Sequence, residues 1–269
     1  MTVHQDFFLH HHHGSTSVIC DILLPLAANS GYAFMKKNDL YFALFMLALF
    51  LPFVLSAGAF AAYEQFNRTH GMVMSFVKFA LLATLGEMLG LRIKTGLYFF
   101  SGFGIIPRAL VWGFLGLAIK AAFIIFASGT PVFLEYLGMN GAGAIIQGDF
   151  TFTKVLVAFC ISAAMNLTFA PVMMTFHKVT DTHILQTGGT LSGFLSPLPA
   201  RKIITGLNWD VQWSFVFCKT IPFFWIPAHT ITFLLPPDYQ VLFAALLGLA
   251  LGVILAIAGQ MGRKASMGV

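Results

Sequence analysis

Four ionisable side chains stand inside long apolar runs of this 269-residue chain: Lys78, Glu87, Lys120 and Lys219. A charge surrounded by hydrocarbon is costly, so such residues normally face a partner or water. One arrangement is a polar route through a helical bundle, with Glu87 opposing one or more lysines. The other is a set of static ion pairs that fix helix packing, with Lys78 close enough to a span end to snorkel. A second group, His177, Asp181 and His183, has the ligand types that suit zinc or iron. On a helix His177 and Asp181 share a face, whereas His183 stands about 240° round from His177. A loop would be needed to gather all three, and there is no second histidine cluster to complete a di-iron site. The reading preferred is a polar cytoplasmic helix end, with no metal and no cofactor expected. The run His10 to His13, either a natural polar tail or a tag, would bind metal only adventitiously.

The stretch from Lys219 to Pro237 holds the most unusual chemistry, with Pro222 and Pro227 inside an apolar run and Trp225, His229, Thr230 and Thr232 beside them. Prolines free backbone carbonyls, which suits a broken helix lining a cavity, with His229 as a proton-sensitive gate. The alternative is a proline kink whose carbonyls are met by neighbouring hydroxyls.

These residues must be positioned by membrane helices. Hydrophobic residues make up 58% of the chain and charged residues 9%, against roughly a quarter charged in soluble domains. That leaves too little polar surface for a water-soluble globule, and the 30 phenylalanines suit lipid as well as a core. The apolar runs are continuous rather than alternating, which argues against a barrel. The predicted fold is therefore an all-α polytopic transmembrane bundle. About six spans are expected: Leu40 to Ala62, Met72 to Leu91, Ala109 to Ala127, Val155 to Phe176, Val211 to Leu235 and Val241 to Ala258. The fifth is expected to be proline-broken. The segment Ile22 to Ala28 is too short to span and suits the interface.

This divides the chain into a polar and interfacial segment (residues 1–39), a transmembrane domain (40–259) and a short basic tail (260–269). Alternate loops separate the basic residues. One side receives Lys36, Lys37, Arg92, Lys94, Arg108, Lys178, Arg201, Lys202, Arg263 and Lys264, and the other only Arg68 and Lys154. The basic side is predicted to be the cytoplasm, with both termini on it. The net charge of +5 is thus explained by topology, and no nucleic-acid partner is expected. No cleavable leader is expected at the start of the chain.

The loops Ser128 to Lys154 and His177 to Asp210 are rich in glycine, threonine and proline. No strong internal repeat points to an inverted-repeat transporter. Cys20, Cys160 and Cys218 are scattered, with neither metal spacing nor a disulfide framework. Gly86 with Gly90, Gly248 with Gly252, and Gly113 with Gly116 are predicted to be close helix contacts.

Trp225, Pro227, His229, Phe233 and Pro236 resemble the C-terminal signature of the Mpv-seventeen and peroxisomal membrane protein family. Gly104, Pro107 and Trp112 resemble its glycine-proline and tryptophan motif, and Gly86-Glu87 stands where many members have Gly-Asp. The likeness covers roughly Met72 to Ala258. The chain departs from the family pattern at Ile226, which separates Trp225 from Pro227, at Gln240, and after Gly252, where Trp-Asn and Leu-Ser motifs are missing. The resemblance implies a divergent bacterial relative in the inner membrane with a channel-like role. The predicted polar route is lined by Lys78, Glu87, Lys120, Lys219, Trp225, Pro227, His229 and Thr230, and its partners are the bilayer, a small solute or ion, and further copies of the chain. The competing reading is a noncatalytic scaffold or assembly factor. No nucleophile elbow, phosphate loop or paired-carboxylate motif argues for an enzyme.

Overall fold

Continuous apolar segments leave the backbone one way to satisfy its own hydrogen bonds in lipid, and the chain folds accordingly as helices. The computed structural model describes residues 37–266, among which no strand occurs. His10 to His13, Cys20 and Ile22 to Ala28 lie outside the described residues, as do residues 267–269 of the tail. The long elements are α1 (Lys37–Leu55), α2 (Ala57–Thr69), α3 (Gly71–Thr95), α4 (Ile105–Tyr136), a short α5 (Ala142–Gln147) and α6 (Phe152–Gln186). Three brief helices follow: α7 (Leu191–Phe194), α8 (Ala200–Thr205) and α9 (Trp209–Val211). A π-helix, π1 (Gln212–Trp225), then runs into α10 (Ile226–Leu234), and α11 (Pro237–Ser266) ends the fold.

Five of the helices, α1, α3, α4, α6 and α11, are long and apolar enough to cross a membrane. The chain is an integral membrane protein with an all-α bundle, and α3 lies between α4 and α11 while α6 packs on α4 and α10. Phe79, Leu82, Phe123, Val157, Ile161, Met165 and Ala245 meet in its core.

The expected span boundaries shift for local reasons. The first span was expected to run to Ala62, but α1 ends at Leu55 because Ser56 leaves the helix (φ −128°) and its hydroxyl accepts the Ala59 N–H. Pro52, which has no N–H to donate, weakens the turn before it. The polar helix α2 follows as a separate element. Helices α4 and α6 are longer than the spans expected there, at 32 and 35 residues. Their lengths of about 48 and 52 Å exceed a hydrocarbon core of about 30 Å. Much of the two expected loops is therefore helix: Ser128 to Tyr136 finishes α4, and His177 to Gln186 finishes α6.

The fifth expected span stays helical through both prolines. The irregularity takes the form of π1, with Pro222 inside it, and Pro227, which has no N–H to give the turn before it, stands at the junction with α10.

Glycines set the closest approaches. A side chain on Gly86 would come within 2.8 Å of Leu249 Cα, and one on Gly252 within 3.1 Å of the Gly86 carbonyl oxygen, so α3 and α11 touch backbone to backbone. Gly248 has open space beside it instead. Gly113 and Gly116 admit the rings of Phe76 and Phe79 from α3.

The first helix has no fully buried residue; Leu49 and Phe50 lean on the core and Phe53 on Tyr63, while its start is pinned by polar contacts. Asp39 accepts from Arg92 Nε and Nη2 at 2.7 and 2.6 Å and from the Tyr98 hydroxyl at 2.9 Å. Phe42 stacks on Tyr98 with ring centroids 4.7 Å apart. Burial, and then the hydrogen bond to Asp39, push the Tyr98 hydroxyl up to about 12.

Candidate functional site

Glu87 projects from α3 towards the start of α4 and the last third of α6. Gly104, in the left-handed conformation (φ +73°), begins α4 where it packs on Ile184 and Gly189; a side chain there would lie 2.5 Å from Ile184 Cγ2. This close approach sets Arg108 and Trp112, one turn apart on α4, beside His177 and Asp181, one turn apart on α6.

Arg108 is the hub. Its Nη1 donates to Glu87 Oε2, its Nη2 lies 2.5 Å from Asp181 Oδ1, and its Nε donates to the Phe103 carbonyl at 2.7 Å. The Phe103 ring lies under the guanidinium, 4.4 Å from Arg108 Cζ. Glu87 Oε1 accepts from Trp112 Nε1 at 2.8 Å and meets His177 Nε2 at 3.0 Å. A carboxylate only accepts, so His177 carries its proton on Nε2 in this contact. The Trp112 and His177 rings are 4.3 Å apart. Lys178 stands 3.7 Å from Asp181 and is more exposed than the rest. Planar Arg108 reaches two carboxylates through separate nitrogens of a fixed fork, a geometry that a compact ammonium lacks.

The second polar group is neutral. His229 Nδ1 lies 3.0 Å from Asn166 Nδ2 and 3.1 Å from Oδ1. Asn166 Nδ2 donates to the Ser162 carbonyl at 2.8 Å, and the Ser162 hydroxyl donates to the Ile226 carbonyl at 2.7 Å. The imidazole is stacked on Trp225 (5.1 Å) and edged by Phe123 (5.6 Å).

Both groups line a single cavity of about 580 Å³. Asn166 and His177 mark its two poles along α6, and their separation of eleven residues corresponds to about 16 Å. The walls between are mostly apolar, with Phe79, Phe123, Phe169 and three methionines among them.

The residues singled out in the sequence divide sharply. Glu87, Trp225 and His229 reach this cavity. Lys78 does not oppose Glu87, because it lies on α3 two and a half turns earlier, bonded to Asn67 Oδ1 at 2.6 Å beside the Tyr63 ring. Lys120 sits at that same opposite end, lining a small cavity of about 140 Å³ with Asn67, Ser75 and Asp238. Lys219 is exposed on π1, and no described residue pairs with it. Pro227 is exposed, while the buried Thr230 turns its hydroxyl onto the Ile226 carbonyl at 2.8 Å. The four ionisable residues therefore form no common route, and the partners expected for Glu87 are replaced by Arg108, Trp112 and His177.

His177 and Asp181 share a face and meet around Arg108, whereas His183 points elsewhere, with Nε2 3.2 Å from the Phe194 carbonyl. A guanidinium thus stands between the carboxylates of Glu87 and Asp181. Among the described residues no group of three or more His, Cys, Asp or Glu side chains is placed to hold a metal ion.

Sequence reading missed Arg108, counting it among loop cations, and passed over Asn166. The available signals were the i, i+4 spacing of Arg108 with Trp112 and a lone amide in an apolar span. Arg92 was also counted as a loop cation and is instead bound to Asp39.

The fold and site define the class as an integral membrane helix bundle with a partly open, largely apolar cavity carrying one charged and one neutral polar pole. Compared with protein-family models, curated proteins and solved structures, the chain matches none.

Proposed function

We propose that this protein takes a small solute into the cavity of its bundle and passes it across the membrane, in the channel-like manner implied by its resemblance to the Mpv-seventeen family. The single observation that carries the reading is the cavity of about 580 Å³, a size that suits small-molecule sites, bounded by polar groups from α3, α4, α6 and α10. The route runs from the Glu87–Arg108–His177 pole to His229. On this reading the protein sits in a bacterial inner membrane, with π1 and α10 together as one further crossing, so that both termini and the Arg108 pole are on the cytoplasmic side.

Purified protein in proteoliposomes should release small trapped solutes, and His229→Trp, which fills the cavity, should slow that release. Vesicles that never leak above protein-free controls, and planar bilayers that never conduct, would remove the basis for transport.

A noncatalytic scaffold is favoured by a different observation: the Arg108 guanidinium has all three directions occupied, as a packing lock requires. On that reading, Arg108→Met with Glu87→Met and Asp181→Leu recovers stability lost in the single Arg108 variant, and no solute moves.

A further inference from the structure

The two poles differ in what they leave open. At the charged pole every direction of Arg108 is taken, and Glu87 meets three partners. At the neutral pole, His229 is 8% exposed and its Nδ1 is held by Asn166, yet none of the described residues hydrogen-bonds its Nε2. Two further cavity-lining residues, Gln212 and Trp225, carry buried polar atoms without partners, Oε1 and Nε1. A buried donor or acceptor left unmade is costly, so Trp225 Nε1, beside the open His229 Nε2, marks a place where a ligand supplies a missing partner, and Gln212 Oε1 offers a further acceptor on the same wall.

We propose that the cavity binds a neutral amphiphile, with an apolar body and a carbonyl- or hydroxyl-bearing head that hydrogen-bonds His229 Nε2. This rests on the solute-binding reading above and narrows it to a class. The neutral pole has no described charged side chain in contact with His229, so an ionised head buried there would lose its hydration without a counter-charge. A neutral oxygen needs only the hydrogen bond. The imidazole is preorganised for it, fixed between the Trp225 and Phe123 rings and tied through Asn166 to Ser162. The body then lies against Phe79, Phe123, Phe169, Met165, Met173 and Met174. Aromatic faces favour flat apolar groups, and unbranched methionines adapt to their outline.

The test uses photolabelling of the full chain in lipid nanodiscs. Benzophenone is neutral, with two rings and one carbonyl, and its excited ketone inserts into C–H bonds, methionine being favoured. Its analogue para-benzoylbenzoate has the same body with a carboxylate. Benzophenone should label Met165, Met173 or Met174, about tenfold above para-benzoylbenzoate at equal free concentration, since an unpaired charge is excluded. His229→Phe should lower that labelling about fivefold, the worth of one hydrogen bond, and leave the exposed Met72 unchanged. Competition on the unaltered protein gives the same answer without a variant: decanol should displace the label and decanoate should not. Equal labelling by both probes overturns the neutral-head inference and leaves a solute-binding cavity standing. Label on Met72 with none on any cavity methionine, from either probe, overturns the binding reading as well.

Discussion

The two poles of the cavity are built on the same helix, α6, yet on opposite electrostatic terms. At one, Arg108 is enclosed by Glu87, Asp181 and the Phe103 carbonyl, a closed set in which each charge compensates another. At the other, Asn166 and His229 form a neutral pair with a ring nitrogen to spare. Buried charges hold a fold together only while all partners stay in place, because any one left alone must be desolvated without return. Neutral polar groups tolerate an open valence at lower cost, which makes them the better place to receive a ligand. The charged pole is closed on its own partners, and the neutral pole is the one the proposed ligand would meet.

The comparison breaks most severely at Arg108. Replacing it with methionine leaves Glu87 and Asp181 buried without their shared cation, and a loss of about 3–5 kcal/mol is expected in denaturant or thermal unfolding in detergent. Arg108→Lys should recover little of this, since one ammonium does not span both carboxylates. Next comes the contact that shuts the bundle beside the cavity. Gly86→Val drives a side chain against the Leu249 backbone and should cost about 2–3 kcal/mol, whereas Gly248→Ala, with space around it, should stay within about 0.5 kcal/mol.

At the neutral pole, Asn166→Leu strips the partner from His229 Nδ1, and a smaller loss of about 1–2 kcal/mol is expected. If it matched the Arg108 variant, the contrast between the poles would collapse. The α1 clasp should respond to alkali. The Tyr98 hydroxyl is raised in the folded state, so its contribution is full below pH 10 and fades as pH climbs through about 12. Proteolytic release of α1 should increase over that window, and Tyr98→Phe should remove the pH dependence. Least damaging should be Lys219→Gln: the side chain is exposed and has no partner among the described residues, so its loss should lower stability by no more than about 0.5 kcal/mol.

How much of this was legible depends on whether the signal is local. Long apolar runs placed α3, α4, α6 and α11 within a few residues of their cores, because hydropathy is a property of each segment alone. That Gly86, Gly90 and Gly252 sit at close helix contacts was also readable, since small residues four apart announce one; that they meet each other, and that Gly248 meets nothing, was not. The partners of Glu87 were not. Only cations inside apolar spans looked eligible, so Lys78, Lys120 and Lys219 were chosen over Arg108, which looked like a loop residue.

Taken alone, the amino-acid sequence determined that the chain lives in a membrane as helices, and that His177 and Asp181 share a face. Tertiary structure decided which charges meet, because Gly104 and Gly189 let α4 start hard against the end of α6 and so deliver Arg108 between two carboxylates. It also decided that α10 faces α6, where His229 meets Asn166 across 63 positions of chain. Helical period fixes what lies on one face of one helix; only packing fixes which faces are turned to each other.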